Sequence, residues 1–412
     1  MATICLISPG HLSSNPRIVK EADALFEQGH IVHVVYAQSN RQDLDRDASI
    51  LARRSWLVHP IACFGGTLRY RFRRLHQLAC GFLFRQRPQS ISLAVRSQNP
   101  LTGALRRAVC EIPADLYIAH YVAALPAAAA AARRHRSAYG FDAEDFHLGD
   151  PPDGPSYDNE RQITRTIEAA FLPGCSYMTA ASPGIADAYT LAYRIKPPTV
   201  VRNVFPLTHA PDSCTPRGTA HPGPSIYWFS QTIGPNRGLE CTVRAIAKAR
   251  ARPHLYLRGF INPGFRNCLE TLARSEGVAD RLHLLPPAPP AEMERLAATY
   301  DLGLVAETGH TLNRRIALTN KLYTYALAGV PALISDIKAH RDYAQQANSI
   351  VRLFRVDDPQ SLATAIDSFL VGEAGVLREA RLNAFQLGQD QLNWDVEQAA
   401  FLDCVSHAIK AV

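Results

Sequence analysis

Short apolar runs alternate along almost the whole chain with segments whose apolar residues recur at helical spacing, and this alternation constrains the fold more than any other feature. Residues 4–8 read as a buried strand. Ile18, Ala22, Leu25 and Phe26 then follow at helical spacing, and residues 31–37 read as a second strand after Gly29. Asn15 is placed to cap the intervening helix, and Pro16 suits its first position, where no N–H is needed. Strand, helix and strand joined in this way make a parallel βαβ unit. The turn Pro9-Gly10-His11 therefore lies at the carboxyl end of a strand, where open α/β sheets receive ligands.

Residues 206–225 are rich in Pro, Gly, Ser, Thr and His and lack apolar periodicity, which marks a linker. After it the alternation restarts. Strands are expected at 226–230, 255–259, 282–285, 302–306 and 332–335, with helices at 239–249, around Leu269, at 291–300 and at 320–328. A chain of 412 residues accommodates two domains of ordinary size. The expected fold is α/β, with two Rossmann-like doubly wound parallel-sheet domains facing across a cleft: 1–205, the linker 206–225, and 226–390. The final stretch, 391–412, contains a helix over 394–409 that either completes the second domain or crosses back to the first.

Apolar residues make up 47% of the chain and charged residues 20%, the balance of a folded globular protein. The net charge of +7 and pI near 9.0 favour an anionic partner without choosing among nucleotide, phospholipid and nucleic acid. No motif of the common nucleic-acid-binding modules is present, so nucleic acid is not the expected partner. The nine cysteines are scattered singly, without zinc-ligand spacing, as expected for free thiols in the cytoplasm. There is neither a secretion signal at the start nor an apolar run of about 20 residues that would span a bilayer. A nicotinamide-binding fingerprint would need more glycines than Gly10 in the first turn, which excludes that class of oxidoreductase.

The most informative stretch is 318–325, which contains Thr319, Asn320, Lys321 and Thr324 and leads through Gly329 and Pro331 into a strand. Thr319 can cap the helix, whose free amides and positive dipole end, reinforced by Lys321, suit a diphosphate. The same residues also fit a capped helix with a solvated lysine. The loop 230–238, with Gln231, Arg237 and Gly238, is polar, glycine-containing and cationic, and Arg237 can neutralise charge on a departing nucleotide. Its alternative is an ordinary surface loop. Arg314 and Arg315 are further cationic candidates, or simply solvated.

In the first half, 115–120 reads as a strand that delivers His120 to a sheet edge, where it binds a sugar hydroxyl, handles a proton near neutral pH, or is structural. Residues 141–147 place Asp142, Glu144, Asp145 and His147 in one loop. This is either a general-base or acceptor-gripping cluster or an acidic surface loop. Asp43, Asp45 and Asp47 have the spacing of a metal-binding Asp-x-Asp pair but lie in a polar loop, and the solvated reading is preferred. No metal and no cofactor are expected.

Taken together and in this order, 13–17 opening the first helix, Gly29-His30 before the second strand, Arg237-Gly238-Leu239-Glu240, and Asn320-Lys321 with Gly329 and Pro331 resemble the bacterial family 4 glycosyltransferases of the GT-B fold. The resemblance covers nearly the whole chain. It implies transfer of a sugar from a nucleotide-diphosphate donor to a hydroxyl acceptor, with retention and without a metal. By it, Arg237 and Lys321 hold the diphosphate, Gly10 gives close access to backbone, His120 faces the transferred sugar, and Arg258 and Gly259 lie near the base. The chain departs from the family at two glutamates eight positions apart, which are here Ile316 and Thr324. The second of these would bind ribose, and Glu307 is the candidate to supply a carboxylate instead. The missing pair also motivates an alternative, a non-catalytic sugar-nucleotide binder or partner subunit on the same fold.

From Arg69 to Arg87, arginines alternate with apolar residues. The stretch fits either an amphipathic helix on an anionic membrane, serving a lipid-linked acceptor, or a helix packed on its own domain.

Overall fold

In a computed structural model of the chain, residues 1–214 and 221–410 are described. The expected linker 206–225 and terminal stretch 391–412 thus each fall partly outside the described residues. The chain divides into two compact units, one of 1–201 with 311–313 and 398–412, the other of 202–310 with 314–397.

The first unit is built on seven parallel strands: β1 (Thr3–Ser8), β2 (Ile31–Gln38), β3 (Leu57–Ala62), β4 (Leu116–His120), β5 (Ala138–Ala143), β6 (Tyr177–Ala180) and β7 (Thr199–Val200). Their order is β3-β2-β1-β4-β5-β6-β7. Ile4, Cys5, Leu6 and Ile7 are all buried, as expected for a central strand covered by helices on both faces. Asn15 accepts a bond from the Ile18 amide at 3.1 Å and caps the Pro16–Glu27 helix. The face read from its apolar spacing is buried at Ile18, Ala22 and Leu25, Phe26 alone being exposed, and Arg17 and Glu21 are buried as well.

The second unit has six parallel strands: β8 (Ser225–Ile233), β9 (His254–Ile261), β10 (Leu282–Leu285), β11 (Leu302–Val305), β12 (Ala332–Ser335) and β13 (Val351–Phe354). The order β10-β9-β8-β11-β12-β13 repeats the plan of the first sheet. Alternation along β8 feeds two cores. Ile226 and Trp228 pack with Val243, Ile246 and Leu269, and Tyr227 packs on the other face with Leu322, Tyr325 and Tyr300. This is a three-layer α/β unit.

Local differences from expectation have identifiable causes. β8 runs on to Ile233 and takes in Gln231, because beyond a bulge Thr232 and Ile233 pair with Phe260 and Ile261 of β9. Its polar, exposed residues hid this extension. The helix expected at 291–300 is only Met293–Ala297, preceded by a 3-10 turn that starts at Pro290.

Candidate functional site

In each sheet the strand order reverses once, between β1 and β4 and between β8 and β11, and ligands of open α/β sheets bind at the carboxyl ends of strands at such points. Groups of ionisable side chains gather at both.

In the first unit, His120 ends β4 and Asp142 lies near the end of β5, both fully buried. Asp142 therefore belongs to a strand and not to an acidic surface loop. Arg17, from the first helix, holds it with two parallel bonds, Nε to Oδ2 at 2.6 Å and Nη2 to Oδ1 at 2.7 Å, and donates Nη1 to the Val201 carbonyl. Thr179 donates to the same carboxylate. His120 Nε2 lies 3.1 Å from Glu21, and its Nδ1 is 3.4 Å from Asp142 and 3.6 Å from Glu144. Carboxylates facing both ring nitrogens require the imidazolium. Burial opposes that charge, but Glu21, Glu144 and Asp142 outweigh it and lift the pKa to about 10. His120 is thus a fixed cation, not a group that titrates near neutrality. Burial, then repulsion from Asp142, push the Glu21 carboxyl above its usual range despite His120 and Arg17. Burial also works against Asp142 ionising, yet Arg17 and His120 hold it below its usual value. Glu21, His120 and Asp142 have ligand atoms close enough together to hold a cation, but the Arg17 guanidinium already engages both Asp142 oxygens.

Glu144 is the most accessible carboxylate of this group, with its side chain 13% exposed. Tyr121, directly after His120, has φ 65°, a left-handed conformation that is costly for a bulky residue and characteristic of functional turns. The Glu144 charge, then burial, raise its pKa. Gly10 has room for a side chain, so nothing within the fold demands a glycine there. His11 beside it bonds Asp47 at 2.6 Å, and Asp47 also accepts from the Ser13 amide. Asp47 is therefore buried and engaged, unlike the solvated aspartate expected.

In the second unit, Glu307 follows β11, and Lys321 and Arg314 each approach it to 3.7 Å. Burial pushes the Glu307 carboxyl up, but Lys321, Arg314, His340 and Arg237 together hold it below its usual value. Lys321 is buried, with Nζ 5.3 Å above the Trp228 ring. Burial, together with the cations Arg237 and Arg314, lowers its pKa against the pull of Glu307. Arg237 donates to Ser230 at 3.4 Å, and its own pKa is lowered by burial. Gly238, at φ 67°, brings this loop against β11, since a Cβ there would sit 2.6 Å from the Ala306 carbonyl oxygen. Gly259 likewise packs against the Ser230 carbonyl.

Thr319 occupies the cap position of the Asn320–Leu327 helix, but its hydroxyl caps nothing and is buried without a partner. Arg258 is tied to the Tyr227 hydroxyl and the Pro286 carbonyl, both at 2.9 Å, and Gln231 is exposed on β8. Thr324 is fully buried and donates to Glu294 Oε1 at 2.8 Å. Glu294 is thus a buried carboxylate in contact with the residue that stands where the family resemblance expects a glutamate.

The structure therefore groups Arg237, Glu307, Arg314 and Lys321 in one unit and His120, Asp142 and Glu144 in the other. Sequence reasoning missed Glu21, Tyr121 and Glu294, and it quoted Arg17 only as part of a motif. The charges at Arg17 and Glu21, four positions apart on a helix, are the one signal that was legible.

No protein-family model and no curated protein matches the chain. Solved structures do. HepE of Anabaena in complex with UDP is 16% identical with a TM-score of 0.71, covering 98% of this chain and 100% of its own. Sucrose-phosphate synthase from Thermosynechococcus elongatus is 14% identical with a TM-score of 0.75, covering 100% of both chains. The glycosyltransferase WaaG, involved in lipopolysaccharide biosynthesis, is 14% identical with a TM-score of 0.63, covering 97% of this chain and 98% of its own. With two parallel-sheet α/β units of seven and six strands, the chain has the fold of the GT-B glycosyltransferases.

Proposed function

We propose that this protein is a glycosyltransferase of the family 4 type that moves a sugar from a nucleoside-diphosphate donor to a hydroxyl acceptor, with retention and without a metal. The observation that carries the reading is the set of three cations, Arg237, Arg314 and Lys321, around Glu307 at the reversal point of the second sheet. Cations held partly out of water at strand ends beside a helix N-terminus are suited to a diphosphate. HepE, on the same fold, has been crystallised with UDP and with UDP-glucose.

In this reading Arg237 and Lys321 grip the diphosphate, with Arg314 and the amides following Thr319, including that of Asn320, completing the cradle. Charge builds on the leaving diphosphate as the bond to the sugar breaks, and preorganised cations stabilise it there. Arg258, Gly259 and Gln231 border the nucleoside, and Glu294, reached through Thr324, serves the ribose hydroxyls. Glu144 accepts a hydrogen bond from the acceptor hydroxyl, while the buried His120 and Asp142 position it. Gly10 lines the turn beside them. No cofactor takes part.

The test is calorimetric titration with a panel of nucleoside diphosphates and nucleotide sugars, using Arg237→Ala and Lys321→Ala as controls. Binding of one nucleotide that is lost in both variants, with transfer or slow donor hydrolysis, supports a transferase. Ile316 and Thr324 at the glutamate positions favour a second reading, a non-catalytic binder, which would bind without either turnover. Absence of any nucleotide binding would sink both.

A further inference from the structure

The Leu68–Gln86 helix carries its apolar surface on the wrong side for a helix that only packs on its own domain. It is anchored through Cys80 and Phe84, both buried, and Phe84 packs with Ala94, Val122, Ile163 and Ile167. On the opposite face Leu68, Phe72, Leu75, Leu78, Phe82 and Leu83 are 50–72% exposed. At roughly 100° per residue these six form one outward stripe. Arg69 and, at the helix end, Arg87 flank it on one side and Arg74 and Arg85 on the other, while Arg71 lies within it, and all five are exposed. From Ala48 to Cys110 the sequence has eleven arginines and no Asp or Glu.

We infer that this helix docks the protein onto an anionic lipid bilayer, lying in the interface with its leucines and phenylalanines in the acyl boundary and its arginines at the phosphates. A convex apolar ridge between two cationic rails matches that interface in both shape and charge. A second copy of the chain is a poor occupant, because a self-complementary contact would bring the same acid-free, arginine-rich surface against itself. Nucleic acid would leave the apolar ridge without a counterpart. Among the described residues no helix is long and apolar enough to cross a membrane, so the contact is in the plane of the bilayer. The helix follows β3 at the carboxyl edge of the first sheet, the edge that also carries His120. The inference does not depend on the proposed reaction.

The experiment is flotation of the full chain with vesicles of phosphatidylcholine alone or mixed in equal parts with phosphatidylglycerol, at low and high salt. The parent protein is expected to float with the mixed vesicles and to be released by salt. A triple change, Phe72→Ser, Leu75→Ser and Phe82→Ser, is expected to lower the partition coefficient roughly tenfold or more, and so is Arg71→Glu with Arg74→Glu and Arg85→Glu. These residues point into solvent, so both variants should keep the parent's circular dichroism and its nucleotide titration. The inference is overturned if the parent floats with neither vesicle, or if the serine variant floats as well as the parent. It is equally overturned if velocity sedimentation without lipid shows a parent dimer that the serine variant converts to monomer.

Discussion

The Thr324 hydroxyl donates to Glu294 Oε1 at 2.8 Å, and both side chains are buried, so a carboxylate from one helix is held by a hydroxyl from another. The remaining oxygen, Oε2, is buried without a hydrogen bond and lies 3.6 Å from His209.

Glu294→Gln should weaken binding of the preferred nucleoside diphosphate by about ten- to a hundredfold, the cost of one charge-assisted bond. Calorimetry reads this directly. Unchanged affinity would make Glu294 a purely structural partner of Thr324.

Arg237→Ala should lower turnover more than it weakens donor binding, because the charge it meets develops mainly as the leaving diphosphate departs. Steady-state kinetics alongside calorimetry separate the two. Loss confined to binding would contradict the role.

Stability of the first unit should fall with rising pH. The His120 pKa is raised in the folded state to about 10 from its usual 6.5, so its stabilisation is complete below about pH 6.5 and is lost as pH climbs through about 10. Glu21, also raised, has the same sign at lower pH. Thermal unfolding should show Tm declining between these limits, and His120→Gln should flatten the slope. A parent Tm that rises toward pH 10 would refute the imidazolium.

Gly238→Ala should cost about 1–3 kcal/mol of stability, since it places a Cβ against the Ala306 carbonyl at a backbone angle that only glycine adopts freely. By displacing the loop it should also reduce nucleotide affinity about tenfold or more, read by urea unfolding and calorimetry of the same variant. Preserved affinity would show that Arg237 is placed independently of this contact.

How far the fold was legible follows from the kind of signal each part carries. Buried parallel strands such as β1 and β12 are continuous apolar runs between turns, and those runs are visible in one dimension. The extension of β8 was not, because Gln231 and Thr232 are polar and their strand character comes only from pairing with β9. Among the site residues, Lys321 and Arg237 were visible as cations at helix starts. The pairing of Arg17 with Asp142 joins residues 125 positions apart, and Thr324 meets Glu294 across 30. Such partnerships depend on how elements stack, which no local pattern encodes. The first helix shows the converse: its apolar spacing located the buried Ile18, Ala22 and Leu25 but gave no sign that Arg17 and Glu21 are buried beside them or that Phe26 is exposed.

The group around Glu307 also fixes a charge stoichiometry. Arg237, Arg314 and Lys321 against one carboxylate leave two positive charges, and the diphosphate diester of a nucleotide sugar carries two negative ones. In the proposed reading, an intact donor would bring the group to neutrality. A nucleoside monophosphate, a dianion near neutral pH, would match it as well, and a nucleoside diphosphate released from its sugar, with a further ionised oxygen, would exceed it. In the proposed reaction the same surplus of cations would hold the departing diphosphate at least as firmly as the donor, which makes product release a step that can limit turnover.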